Sequence, residues 1–458
     1  GMDKFLFHSP SFGYLPDGQL NSAEFLYDND GYDELFDNTG QHFIYDATTG
    51  HFIYDSNGSA AGNTIIATLF NGNVNYSDIY ITGWIEPPIT GTIGNDNLIG
   101  TTDADLIQAL AGDDTLYGDA GDDTLDGGDG SDWALYDATL LTYAIDLSTG
   151  VVNGYAVGEL GSGPVHENDQ LFAIENIEGA YGSITGSSAA NHLIGSSYAD
   201  TLSGSGGNDT LDGAGGADTL IGGLGDDSFV GGTSDWLDYS QSSTAIVGNI
   251  GDASNAGTLT GEGNDTNDAA AHFIGSDHND SILGSIDDNT LLGGLGNDTL
   301  IGGDGMDSLD GGSGADVLTG SGWNTTLSGG LGDDTLTGSN ENWFDGGDGN
   351  DSITGSTGPD TIDPGNGMDE VYAGDGADIV FWSNDNDGFA GEDYIDGGIG
   401  TDTLDCSSGT EGLTLGYGSI EDSNDYDTAE SFEHILSSDF GDTISWTATT
   451  TTTVTHAG

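Results

Sequence analysis

Asp298, Asp307 and Asp316 stand nine residues apart, each at the sixth position of a unit, in GGLGNDTLI, GGDGMDSLD and GGSGADVLT across residues 293–319. Carboxylates are hard oxygen donors, and Ca2+ gathers six to eight such donors in loose geometry. One carboxylate per unit is too few, so the backbone must supply the rest. Gly at positions one, two and four lets the chain take positive φ and turn successive carbonyls toward one place, which a Cβ would oppose. The chemistry implied is divalent-cation binding in an oxygen-lined cup. A wide cup rich in carbonyls suits Ca2+ better than Mg2+, which demands a tight octahedron and keeps its waters.

Such cups need elements that repeat with the same period. The three residues after each Asp alternate outward, inward, outward as in a short strand, and the inward one is apolar: Leu300, Leu309 and Leu318. One unit makes half a coil and two make a full coil of about eighteen residues, so that same-side loops stack at the ~4.8 Å strand spacing with an ion between them.

The register extends well beyond these three units. A first array over 91–135 places Asp96, Asp105, Asp114, Asp123 and Asp132 at position six. A second, over 186–236, places Asn191, Asp200, Asp209, Asp218, Asp227 and, after a one-residue deletion, Asp235 there. A third, over 275–405, has an eight-residue slip at 338–345 and an insertion at 382–387; its acids are Asp280, Asp298, Asp307, Asp316, Asp334, Asp351, Asp360, Asp369, Asp378, Asp393 and Asp402. These 21 aspartates are the candidate metal ligands. Asn289, Thr325 and Asn342 replace the carboxylate, and weak or empty sites are expected beside them.

Composition supports an ion-dependent fold. Of 458 residues 81 are Gly, well above the usual ~7%, and no period of three points to collagen. Acidic residues number 79 against a single basic one, Lys4, for a formal charge of −78 that a compact chain must offset with bound cations. Nucleic acid and anionic membrane are poor partners, since both are bound through Lys and Arg. The lone Cys406 excludes an intrachain disulfide. No apolar run approaches the ~20 residues of a spanning helix, and the start, GMDKFLFHSP, lacks a signal-peptide stretch.

Residues 1–90 are richer in aromatics and read as a small β domain. HFIYD occurs at 42–46 and again at 51–55 around ATTG, a hairpin signal, and NTIIATL and SDIYI read as further strands. The cluster Asp28, Asp30, Asp33, Glu34 is a solvated acidic turn first and an ion site second, because Gly31 is misplaced for an EF-hand. Two breaks, 136–185 and 237–274, and the tail 406–458 share a plan: each leaves by SDWALYDA, SDWLDYSQ or TDTLDCSS and returns through IENIEGA, AAHFIGS or FEHILSS. They read as β excursions that cap or lengthen the solenoid.

The twenty-five nonapeptides resemble the RTX, or haemolysin-type calcium-binding, repeat. The resemblance implies an all-β, right-handed parallel β-roll interrupted by the excursions, binding multiple Ca2+ ions. It also implies a bacterial, extracellular protein exported unfolded by type I secretion that folds on meeting calcium. Residues 42–82 look like a segment that more usually follows such an array, and TATTTTTVTHAG matches no familiar secretion signal, so the chain is also compatible with a piece of a longer one. RTX arrays often accompany enzymes, but neither an H-E-x-x-H pair nor a G-x-S-x-G serine occurs, and paired acids such as Asp226 and Asp227 read as ion and solvent ligands. Non-catalytic calcium binding is therefore the first reading, with a non-catalytic part of a secreted enzyme or toxin the alternative. An adhesin, ice-binding or sugar-binding surface is another, with an unknown protein or carbohydrate as partner. Thr92 and Thr101 begin a threonine ladder that the later repeats break, and Trp133, Trp236, Trp323, Trp343 and Trp382 read as packing before they read as a platform.

Overall fold

The computed structural model describes residues 88–136, 141–156, 168–252, 254–268, 270–382, 393–407 and 431–437, together with isolated strands on either side. The chain divides into two compact units, 1–87 and 88–458.

In the first unit Phe25–Tyr27, Tyr32–Phe36, His42–Asp46, His51–Asp55 and Thr64–Thr68 form an antiparallel meander. The two HFIYD copies pair with each other, Ile44 opposite Ile53. SDIYI and the side chains of the Asp28, Asp30, Asp33 and Glu34 cluster lie outside the described residues.

The second unit is a parallel β-roll of two facing sheets. Each nonapeptide gives one strand, and successive units feed alternate sheets. Leu291, Leu309 and Leu327 stack in one sheet, and Leu300, Leu318 and Leu336 in the other. All six are at most 1% exposed. A strand of three residues buries only its middle one, so the core is a double row of single aliphatic or aromatic side chains. Phe229, Phe273 and Phe344 take the place of Leu in it. An inward side chain from each coil buries too little to hold that coil alone, which makes every coil depend on its neighbours.

The three excursions share one topology. In the first, Leu141–Asp146 and Val151–Ala156 form an antiparallel hairpin; the second strand pairs antiparallel with Gln170–Phe172, and the first runs parallel to Gly182–Thr185. Val247–Asn249 and Gly257–Thr260 repeat this in the other sheet between Asn264–Asp268 and Ser281–Leu283. Thr414–Gly416 and Ser419–Glu421 do so between Tyr426–Glu430 and Thr443–Ile444. Each excursion thus lengthens a sheet from within by two antiparallel strands. Among the described residues no helix is long and apolar enough to cross a membrane.

Candidate metal-binding loops

Each array strand follows a loop that ends on the sixth-position residue, and loops on one side stack as their strands do. The backbone N–H of one sixth-position residue donates to Oδ1 of its counterpart a coil later: Asp280 to Asp298 (2.7 Å), Asp298 to Asp316 (2.6 Å), Asp316 to Asp334 (2.7 Å) and Asp334 to Asp351 (2.8 Å). One carboxylate oxygen is therefore pinned by backbone. The fate of the other divides the loops into two kinds.

In the first kind, Oδ2 is buried with no hydrogen-bond donor. Among the described residues this holds for Asp114, Asp123, Asp132, Asp209, Asp218, Asp227, Asp298, Asp307, Asp316, Asp334, Asp351, Asp378 and Asp402. In all thirteen loops the second residue of the unit has positive φ: Leu110, Asp119, Gly128, Ser205, Ala214, Gly223, Gly294, Gly303, Gly312, Gly330, Gly347, Gly374 and Gly398. That conformation brings the backbone of one loop against the carbonyls of the loop before it. A Cβ on Gly312 would overlap the carbonyl oxygen of Gly294, and a Cβ on the first-position Gly311 would lie against Oδ2 of Asp316. The space around the orphaned oxygen exists because no side chain fills it.

In the second kind, the second residue is Ser or Thr without positive φ, and its N–H and hydroxyl both reach the sixth-position side chain. Ser196 donates to Oδ2 of Asp200 from N–H (2.7 Å) and Oγ (2.9 Å). Ser276 donates its N–H to Oδ2 and its hydroxyl to Oδ1 of Asp280, whereas Thr92 and Asp96, Thr101 and Asp105, and Ser356 and Asp360 repeat the Ser196 arrangement. Ser187 and Ser285 do the same for Asn191 and Asn289. Of the remaining predicted ligands, Asp235 accepts from the Gly232 N–H (2.5 Å), and Asp369 donates its own N–H to Asp393 Oδ1 across the insertion (2.8 Å). Thr325 has a buried hydroxyl without a partner, and the Asn342 amide donates to the Ser339 carbonyl.

Two further acids do the work of a sixth-position Asp from inside the excursions. Asp123 N–H donates to Asp169 Oδ1, and Asp227 N–H to Asp265 Oδ1. Their second oxygens accept tyrosine hydroxyls, Tyr136 to Asp169 (3.1 Å) and Tyr239 to Asp265 (2.7 Å). Glu175 and Glu433 accept the N–H of Asp132 and Asp402 in the same way. Sequence reasoning missed all four; the matching phrases NDQ at 168–170 and NDT at 264–266 were the available signal.

Burial without a counter-charge sets the electrostatics. It pushes the carboxyls of Asp123, Asp209, Asp298, Asp334 and Asp378 up to about 7, and those of Asp218, Asp227, Asp307 and Asp351 up to about 6. The backbone N–H donated to each works the other way and is outweighed. Among the described residues no three His, Cys, Asp or Glu side chains converge on one point, so an ion here must draw on backbone carbonyls. That is the ligand set of a hard cation with high coordination number.

The tryptophans at the array exits pack on histidines of the same sheet, Trp133 on His192 (4.9 Å between ring centres) and Trp236 on His272 of the neighbouring strand (4.8 Å). Trp382 is buried, whereas Trp323 and Trp343 are exposed. A cleft lined by Ser328, Asp345, Asp348, Asp363 and Asn366 has no histidine or cysteine on its wall.

Residues 90–134, 185–235, 274–381 and 387–404 match the RTX calcium-binding nonapeptide repeat, a description that covers four copies at a time. The chain belongs to the RTX calcium-binding repeat family. A comparison with curated proteins finds no match. The RTX repeat is a calcium-binding repeat, and the thirteen orphaned carboxylate oxygens among the described residues are anionic donors of the kind Ca2+ takes. Donor chemistry, open space and unmet charge all fit Ca2+.

Proposed function

We propose that this RTX chain is a secreted structural or interaction module that folds when Ca2+ enters its glycine loops, and that it carries no catalytic centre of its own. The observation that carries this reading is the set of thirteen buried carboxylate oxygens without a donor, each in a loop whose second residue has positive φ. Leaving a buried carboxylate oxygen unsatisfied costs roughly 1–3 kcal/mol or more, and thirteen such costs exceed a typical domain's stability. A divalent ion between stacked loops removes the cost and the repulsion together, so binding and folding become one event.

Asp114, Asp123, Asp132, Asp209, Asp218, Asp227, Asp298, Asp307, Asp316, Asp334, Asp351, Asp378 and Asp402 would supply the carboxylates, and position-two and position-four carbonyls the remaining oxygens. Outside a bacterial cell calcium is plentiful; inside it is scarce, which suits export of an unfolded chain by type I secretion. The test is a calcium titration followed by far-ultraviolet circular dichroism and ion counting. Sheet signal and compactness should appear with calcium, at a midpoint on the order of 10⁻⁴ to 10⁻³ M, and not in millimolar Mg2+. The same sheet content in chelator as in calcium would sink the reading.

A further inference from the structure

The hydroxyl-capped loops are not scattered along the chain. Thr92 and Thr101 open the first array, Ser187 and Ser196 the second, and Ser276 and Ser285 the third, so the first full coil of every array is capped on both sides. The other capped loop, that of Ser356, follows the eight-residue slip on its own side of the roll. At the far end of the first two arrays the tyrosines Tyr136 and Tyr239 occupy the same place in the exit phrase, and each donates to the acid that closes the stack. Hydroxyls therefore stand wherever a regular run of glycine loops begins, and at two of its ends.

The position has a physical reason. An ion between stacked loops takes oxygens from both. At the start of the second and third arrays the neighbour is an excursion: Asp200 Oδ1 meets the Gly182 N–H, and Asp280 Oδ1 meets the Ile246 N–H, neither of which belongs to a glycine loop. An ion there would have ligands on one side only, and a Ser or Thr supplies two donors to the sixth-position side chain instead. Asparagine follows the same pattern at two of its three sixth-position places. Asn191 and Asn289 lie in capped loops where the side-chain oxygen faces protein donors, whereas Asn342, in the eight-residue slip, keeps a buried Oδ1 without a donor; none of the three stands in the thirteen loops with an orphaned carboxylate oxygen.

We infer that protein hydroxyls replace the metal where each array begins, so that calcium enters this roll in separate runs, each started by a metal-free coil. The inference rests on the proposal that glycine loops hold calcium. Residues of the same type do not settle which kind a loop is: Ser205 has positive φ and leaves Asp209 Oδ2 bare, whereas Ser196 caps Asp200. Backbone handedness at position two, not the presence of serine, is the mark of the metal loop.

The deciding comparison is Asp200→Asn against Asp209→Asn in the full chain, with bound calcium counted at saturation by equilibrium dialysis. Asp200→Asn should leave the count unchanged and Asp209→Asn should lower it. A lower count for Asp200→Asn overturns the inference; an unchanged count for Asp209→Asn instead overturns the underlying assignment of glycine loops to calcium. Ser196→Ala supplies a second readout: it should shift the unfolding equilibrium about tenfold at every calcium concentration, the worth of a lost hydrogen bond. An effect that fades as calcium rises would mean that the Ser196 loop binds the ion, and would equally defeat the inference.

Discussion

Asp307 and Leu309 lie two positions apart and should fail differently. Leu309 is 1% exposed in the inner row, and Leu309→Ala should cost about 2–5 kcal/mol whatever the calcium level. Asp307→Ala removes a proposed ligand, and its cost should change with calcium concentration because ligand-linked stability follows the logarithm of concentration over dissociation constant. Unfolding of both variants across a calcium series separates the roles; a calcium-independent Asp307→Ala would contradict the ligand assignment. Protons should compete at the same oxygens. Carboxyls such as Asp298 and Asp334 sit at about 7 in the metal-free roll against 3.8 unfolded. Between those values the folded state holds protons that the unfolded state has lost, so the metal-free roll is penalised above pH 7, recovers as the pH falls, and is free of the penalty below about 4. Acidifying the chelated protein from pH 7.5 to 5 should therefore raise its sheet signal, the reverse of ordinary acid denaturation. Calcium binding near pH 6.5 should release protons measurable in a pH-stat, and a chelated chain that only loses structure on acidification would refute this.

At the scale of the loop, strain is concentrated where a side chain takes a glycine's conformation. Leu110 (φ 84°) and Ala214 (φ 65°) carry positive φ at position two, where non-glycine residues pay roughly 1–3 kcal/mol, partly offset in glycine by its greater freedom when unfolded. Ala214→Gly should stabilise the calcium form by about 0.5–1 kcal/mol, read as a higher denaturant midpoint, whereas Gly312→Ala should destabilise it because the new Cβ meets the Gly294 carbonyl. A lower midpoint for Ala214→Gly would contradict the assigned backbone. These loops also mark what could be read from sequence. The register was legible because glycine, aspartate and leucine recur at fixed offsets, and Leu300, Leu309 and Leu318 do form the inner row. The capped loops were not, since Ser187 and Ser205 are the same residue in the same position and differ in backbone handedness. Nor were Asp169 and Asp265, whose partners lie 46 and 38 residues away and are set by the length of the excursion between them.

For the whole molecule, a formal charge of −78 on 458 residues makes the compact state a matter of counter-ions, and thirteen divalent ions would offset about a third of it. The antiparallel hairpins inserted within the parallel sheets bear on how such a roll behaves under tension. Peeled from one end in an optical trap, a regular coil of 18 residues detaches as one rung of the ladder between sixth-position residues and gives up about 60 Å of extended chain. At the hairpins the next rung is 46 or 38 residues away, and the slack let out should jump to about 160 Å or about 130 Å. The force trace should be an even sawtooth punctuated by long teeth whose spacing reports which excursion has just been crossed. With chelator the even teeth should soften while the long ones keep their length, and teeth of one length throughout would mean that the hairpins let go before the coils around them.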